Sequence, residues 1–383
     1  MSFAVEIIGA GPSGLMAAEV LATAGARVRV VDHMASPARK FLMAGRGGLN
    51  LTHSEPLDQF LDRYGAARSF LEPAIRAFPP EALIGWCNGL GIETFVGSSG
   101  RVFPTTMKAS PLLRAWLRRL DALGVKLELK TEWMGEKRSD AMILALGGAS
   151  WPRLGSDAHW VDALRRRGVP VNDFVPANCG IGIAWSPYFR ERFAGEPLKR
   201  IRVTSGVRGV RGEAMITARG LEGGAIYALS RELRQTGKLT LDLRPDLSIA
   251  ALEERLARPR GKDSRSNRLR KAANLSPAAI ALLREAGAPA TAHTIKAVEL
   301  TMTGTDLLAR AISSAGGVAL DAVDSGFALK AWPGVHAVGE MLDWEAPTGG
   351  YLLQACFSTA VAAAKACLEA LQTAPDRPQS LSK

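Results

Sequence analysis

The chain has few cysteines, and none is placed for redox or metal chemistry. Its 383 residues include only Cys87, Cys179, Cys356 and Cys367. No two of them form a Cys-x-x-Cys pair or a metal-ligand spacing, which argues against a redox dithiol and a structural zinc site. Each is expected to be a small buried hydrophobe. Long apolar runs are missing as well: none approaches the ~18 residues of a membrane span. No basic segment precedes an apolar stretch at the N-terminus, which starts directly on a strand-like run, so no secretory leader is expected and the expected location is cytoplasmic, with no membrane partner. Internal repeats are absent. Acidic charge is in short supply, with 48 Lys and Arg against 37 Asp and Glu, a net of +11. That excess suits nucleic acid, an anionic surface or an anionic small molecule, and equally an arginine-rich proteome; alone it does not choose.

The remainder is ordinary for a globular protein: 47% hydrophobic and 22% charged residues, with a length that accommodates two or more domains. Ala4–Ile8 reads as a buried strand, Pro12–Ala24 as a small-residue helix capped by Gly25, and Arg27–Val31 as a second parallel strand. A glycine-rich polar loop covers 35–55. Helical patterns follow at Leu57–Tyr64, Glu81–Leu90 and Pro111–Leu123, with strands at Val125–Leu129 and Ala141–Leu146. The texture changes near Asn178: short alternating runs separated by glycine extend to Leu243, then a helical stretch covers 248–287, and alternation returns at 294–302. Trp332–Gly339 reads as one more buried strand, and Tyr351–Leu371 as a long alanine-rich helix. The expected fold is α/β, a doubly wound domain in two parts, 1–185 and 326–374. It is interrupted by a β-barrel-like insert at 186–247 and 293–325 and a small helical insert at 248–292, with a disordered tail at 375–383.

Gly9-Ala10-Gly11-Pro12-Ser13-Gly14 follows the first strand and opens the first helix, and Asp32 ends the second strand. Strand, G-x-G-x-x-G, helix, strand and acid in this order form the dinucleotide fingerprint of a Rossmann-type unit. Gly9 permits the tight turn, Gly11 lets backbone approach a diphosphate, and Gly14 lets helix and strand pack closely. The helix entered through Pro12 and Ser13 then offers free N–H groups and the positive end of its dipole. Asp32, with His33 beside it, is expected to face the adenosine ribose. FAD and NAD share this fingerprint. A second signal favours FAD: a strand ends in Gly339-Glu340, and Gly349-Gly350-Tyr351-Leu352 begins a helix. The acid can bind ribityl hydroxyls, and the helix N-terminus can stabilise negative charge on a reduced flavin. Gly147 and Gly148, at the end of the strand from Ala141, let backbone pass close to the cofactor. No second G-x-G-x-x-G sits in its own βαβ unit, so any NAD(P)H is expected only as a transient electron donor.

Taken together these motifs resemble the BaiN-like (YhiN-type) family of bacterial FAD-dependent oxidoreductases, over nearly the whole chain. The resemblance rests on Gly9–Gly14, the loop Lys40–Thr52, Gly100–Pro104, Ala315–Val318, and Gly339–Asp343 with Thr348–Tyr351. It implies a Rossmann-type FAD-binding domain split around a barrel-like and a helical insert. It also implies that Lys40, Arg46, Gly47 and Gly48 lie near the flavin, and that the substrate is a small organic molecule, with enone or steroid-like C=C reduction as the activity known in the family. The family loop Gly-Arg-Cys-Asn-x-Thr departs here: Leu49 occupies the cysteine position and the arginine moves to Arg46. Leu49 can be neither nucleophile nor redox thiol. The insert's usual Ser-Gly-Pro reads Glu222-Gly223-Gly224.

No catalytic residue is assigned. His53 and Tyr351 are the side chains to weigh as proton donors, against a capping role for the histidine and a packing role for the tyrosine. The basic stretch Arg258–Lys271 contains no aromatic for base stacking, so it is expected to be a solvated face and nucleic acid is not expected as a partner. An RNA-associated flavoprotein and a flavin-binding protein with little turnover stand as the alternative functions. No metal site is expected, and the oligomeric state is open.

Overall fold

A computed structural model describes residues 3–258 and 264–373, with the side chains of Arg46 and Arg265 also outside the description. The tail expected at 375–383 and the centre of the basic stretch therefore lie outside the described residues. Two compact units divide the chain: Met1–Val175 with Ser314–Lys383, and Pro176–Ser313.

The first unit is built on a five-stranded sheet in the order Val335–Ala337, Ala141–Leu144, Ala4–Ile8 (β1), Arg27–Asp32 (β2) and Lys126–Leu129. Every neighbouring pair is parallel. Strands buried on both faces read as continuous apolar runs, and β1 and Ala141–Leu144 are almost wholly buried for that reason. From β1 the chain continues to one side into β2, while Ala141–Leu144 lies on the other. That reversal opens a crevice at the carboxyl ends of the strands, where doubly wound folds bind their ligands. The helix Pro12–Thr23 (α1) packs on the sheet through Leu15, Ala17, Ala18 and Leu21, each fully buried.

The closing helix, Tyr351–Thr373, packs against α1. Ala355, Ala360, Ala363 and Ala364 are fully buried along it; their small side chains let the two helices approach closely. Its apolar character corrects one expectation. An 18-residue window reaches a mean hydropathy of 1.3, enough by length and composition to cross a membrane. Since 61% of that window is buried inside the protein, the apolarity is accounted for by core packing.

The second unit contains a closed antiparallel barrel, in the order Pro197–Ser205, Arg208–Thr217, Gly220–Glu222, Ile181–Ile183, Val298–Thr305 and Lys238–Asp242. The last strand pairs back onto the first. Alternation fills the barrel: Leu198, Ile201, Val203, Ile216, Leu221, Leu239, Leu241 and Val298 form its core. Helices Ile249–Ala257, Arg265–Ala273 and Pro277–Glu285 add Leu252, Leu269 and Leu283 to the same core. Ile181–Ile183 is a barrel strand although it lies upstream of residue 186, where the insert was expected to begin. At only three residues it is too short for alternation to mark it. The run expected to alternate from 294 starts instead with a helix, Ala292–Lys296, under a Thr291–Thr294 capping box.

Candidate functional site

The crevice at the sheet's carboxyl edge is a cavity of about 650 Å³ lined entirely by the first unit. Gly9 turns the chain at its mouth with φ +106°, and a Cβ there would lie 2.3 Å from the Ala145 carbonyl oxygen. A Cβ on Gly14 would lie 1.9 Å from the Gly9 oxygen. Both positions exclude any larger residue for reasons of backbone packing. Gly11 differs: a Cβ there would meet nothing within 4 Å, and the residue lines the cavity. α1 starts at this point with no side-chain cap and no acid in its first turn. Its leading N–H groups are thus left for a ligand, and the dipole favours an anion.

Around this opening the walls are polar. Asp32 accepts the Ala10 N–H on Oδ2 and the Met34 N–H on Oδ1, each at 2.7 Å. These bonds fix the carboxylate beside the glycine turn and leave each oxygen a further lone pair for a ribose hydroxyl. His33 lines the same wall, with Nε2 3.6 Å from Asp157 Oδ2. Lys40 Nζ donates to Ser150 Oγ at 2.6 Å and to Glu340 Oε2 at 2.7 Å. The other Glu340 oxygen accepts the Ser314 N–H at 3.3 Å. Cys356 also lines the cavity; burial pushes its thiol up to about 12, with the Glu340 carboxylate adding to the rise. At ordinary pH it is a neutral thiol and no nucleophile.

Of the residues expected at a cofactor site, Gly9, Gly11, Pro12, Ser13, Asp32, His33, Lys40, Gly147 and Glu340 line this one cavity. Gly14, Gly148 and Gly339 stand just behind the wall. A Cβ on Gly148 would lie 2.1 Å from Ser314 Oγ, and one on Gly339 would lie 2.3 Å from Ser13 Oγ. Gly47, Gly48, Gly349, Gly350, Tyr351 and Leu352 do not line it. They lie elsewhere in the same unit: a Cβ on Gly48 would lie 2.6 Å from Met107 Cε, and one on Gly350 2.4 Å from the Thr52 Cα. The backbone of Arg46 sits in the single turn Gly45–Gly47; its side chain is outside the description.

The two candidate proton donors are both engaged. His53 Nδ1 accepts the Glu55 N–H at 3.1 Å, which leaves Nε2 to donate to the Ser99 carbonyl at 2.9 Å. The Tyr351 hydroxyl donates to Glu55 Oε1 at 2.6 Å, and Arg63 holds the other Glu55 oxygen at 2.6 Å. Burial and the Glu55 carboxylate raise the Tyr351 hydroxyl well above its ordinary value. Tyr351 ties the closing helix to the Glu55 loop and His53 ties that loop to the turn at Ser99, so neither is free to deliver a proton in this arrangement.

Several residues were missed. Ser156 Oγ, Asn50 Oδ1, Thr52 Oγ1 and Arg39 Nε are buried without a hydrogen-bond partner. Ser156 and Arg39 line the cavity, while the Thr52 backbone lies against Gly350 and Asn50 is two residues before Thr52. Buried polar atoms are rarely left unpaired, so these four fit a polar ligand of about dinucleotide size. Asn50 and Thr52 were legible only as parts of a loop motif. Ser156 carries no local signal, since its position depends on the turn after Gly155.

The family model for the HI0933-like protein Rossmann domain matches residues 3–366. Among curated proteins, the chain is similar to a ribosomal RNA dihydrouridine synthase of Escherichia coli (strain K12), 23% identical over 401 residues that cover 95% of this chain and 97% of that protein. It is also similar to a 3-dehydro-bile acid delta(4,6)-reductase of Clostridium scindens, 26% identical over 414 residues covering 95% and 99%. A solved 3-ketosteroid delta1-dehydrogenase from Sterolibacterium denitrificans shares the fold at a TM-score of 0.50 and 13% identity, covering 96% of this chain and 100% of that one. The chain belongs to the HI0933-like Rossmann family, and with it to the BaiN-like FAD-dependent oxidoreductases that its motifs resemble.

Proposed function

We propose that this protein uses FAD to add two hydrogens across a C=C bond conjugated to a carbonyl. The observation that carries the cofactor is the uncapped start of α1, which opens past Gly11 into a 650 Å³ cavity walled by Asp32, Lys40 and Glu340. Gly9 and the first α1 amides would hold the diphosphate, Asp32 the ribose, and Glu340 the ribityl chain. Gly47–Gly48 and the start of the closing helix would lie against the ring, with Asn50 and Thr52 supplying the unpaired polar atoms there. When bound, the flavin supplies the two-electron chemistry. Lys40 holds positive charge at this site, and the Tyr351 helix adds the positive end of its dipole, so both favour an anionic cofactor state. Leu49, fully buried, keeps a thiol out of the loop and keeps it dry.

The reaction class is supported by what the two curated relatives share in name. A delta(4,6)-reductase and a dihydrouridine synthase both act on an unsaturated bond, and in a ketosteroid and in uracil alike that bond is conjugated to a carbonyl. A small enone with NAD(P)H as donor is the first reading of substrate. Uracil within RNA is the second, favoured by the similarity to the ribosomal RNA dihydrouridine synthase. Anaerobic mixing with NADPH and NADH, followed by a cyclic enone or uridine, tests the proposal. Flavin bleaching by a nicotinamide and reoxidation by one of these acceptors is expected. A flavin that no donor reduces would leave a flavin-binding protein with little turnover.

A further inference from the structure

The excess positive charge is not spread over the chain. Pro176–Ser313 carries 23 Lys and Arg against 13 Asp and Glu, a net of +10, while the remaining sequence carries 25 against 24, a net of +1. A proteome-wide preference for arginine would act on both units alike. The Rossmann unit holds 17 arginines and balances them, so the imbalance is a property of the barrel unit itself.

Within that unit Lys199, Arg200 and Arg211 line one cleft, beside the carboxylates of Glu213 and Asp246. A bulge interrupts the pairing of Pro197–Ser205 with Arg208–Thr217 between Leu198 and Ile201. Arg200 there adopts φ +52°, a conformation that costs a non-glycine residue energy and marks functional sites more often than chance. The bulge brings Lys199 and Arg200 to the wall of a cleft that Arg211 and Asp246 complete. Farther along the same ribbon, Arg202 stands directly opposite Arg211, a like-charge pair that destabilises a sheet. Arg202's neighbour on the other side, Asp242, is held by Lys296 at 2.7 Å. Arg211 pairs with Asp246, itself more than half exposed, at 2.9 Å. Arg244 adjoins the group: burial first, then repulsion from Arg200 and Arg255, push its guanidinium below its ordinary value. The mutual repulsion of Lys199, Arg200 and Arg211 is a cost that an anion in the cleft would offset.

We infer that the cleft at Lys199, Arg200 and Arg211 is a phosphate-backbone docking surface for RNA. The choice of RNA rests on the proposed reaction, since uracil presents a C=C bond conjugated to a carbonyl and RNA is the polyanion that carries it. Arginine supplies 18 of the unit's 23 cations, and its planar fork suits phosphate better than an ammonium does. The earlier expectation against nucleic acid considered only Arg258–Lys271 and its missing aromatics. Backbone docking needs no stacking.

The test is fluorescence anisotropy of the FAD-loaded protein with a uridine-containing RNA stem-loop across a salt series. Three proteins are compared: the unsubstituted chain; Lys199→Gln with Arg200→Asn and Arg211→Gln, asparagine being tolerated at positive φ; and a control with Arg114→Gln, Arg118→Gln and Lys126→Gln on the Rossmann unit. Affinity is expected to fall about tenfold or more in the cleft variant, with the log–log salt slope reduced by roughly 2 to 3. The control, which loses the same net charge, is expected to bind as the unsubstituted chain does. Retained flavin absorption in all three shows that they fold. Equal binding by the cleft variant and the unsubstituted chain overturns the inference. So does tighter binding to phosphatidylglycerol vesicles, or to double-stranded DNA, than to the RNA. RNA bound through the cleft with no uracil reduced would sustain the surface and sink the reaction on uracil. Enone turnover without RNA binding would overturn the surface and leave the reduction of a conjugated C=C bond standing.

Discussion

Lys40 Nζ lies 2.7 Å from Glu340 Oε2, joining residues 300 positions apart across the wall of the cavity. Their side chains are 27% and 14% exposed, so solvent screens the pair only in part. One comes from the short helix Arg39–Ala44 after β2, the other from the turn Gly339–Met341 before the closing helix. This ion pair ties the two halves of the split Rossmann unit at the site where a flavin would bind.

Removing one partner should therefore leave an unbalanced charge beside the cofactor. Lys40→Met exposes the flavin to the Glu340 carboxylate and should lower its midpoint potential on the order of 30 mV, about 1.4 kcal/mol for two electrons. Glu340→Gln should raise it, and the double variant should return close to the original value. Spectroelectrochemical titration of the four proteins reads the cycle. Equal potentials in all four would show that the pair does not face the ring.

The glycine fingerprint should divide by mechanism. Gly11→Val projects into open cavity, so the flavin-free protein should melt at the unsubstituted temperature while flavin uptake fails. Gly14→Ala drives a methyl into the Gly9 carbonyl and should cost about 1–3 kcal/mol of stability whether or not flavin is present. Calorimetry with and without added FAD distinguishes the two.

Much of this was legible because the relevant signals are local. β1, the glycine turn, α1 and Asp32 lie within 30 consecutive residues, and periodicity with punctuation marks each of them. The Lys40–Glu340 pair was legible only as two separate residues near the flavin; nothing in the spacing says that they touch. Ser156, Thr52 and Asn50 were hidden because an unpaired buried oxygen is a property of packing. The short strands also escaped, Ile181–Ile183 among them, since three residues carry no usable alternation. The basic cleft escaped for a different reason. A bulge at Leu198–Ile201 decides which side chains gather, and a bulge in a strand pair leaves no mark in the residue order.

Glu55 should contribute a measurable pH dependence of stability. Burial raises its pKa, but hydrogen bonds from Arg63 and Tyr351, with the charge of Arg63, outweigh burial and hold the carboxyl below its ordinary value. A depressed folded value means that this stability is fully present above the unfolded value of about 4.3 and is lost as pH falls through the lower folded value. Glu55→Gln should cost about 1–2 kcal/mol at pH 7, and the gap to the unsubstituted chain should narrow under acid. Thermal melts across the acidic range check this; a gap constant with pH would refute the assignment.

The cysteines should be inert. Burial pushes the thiols of Cys87 and Cys356 up to about 12 and those of Cys179 and Cys367 up to about 11. Iodoacetamide at mildly alkaline pH should label the native protein far more slowly than the unfolded one. Flavin turnover should survive the treatment. Rapid alkylation with loss of activity would reopen a thiol mechanism.

Whether the Gly11 cavity holds FAD is read from the amount of flavin that co-purifies with or reconstitutes into the chain. One equivalent per chain, identified as FAD after denaturation and absent from the Gly11→Val protein, is the predicted result. A colourless protein that takes up no FAD, or a Gly11→Val protein that takes up as much as the original, would contradict it.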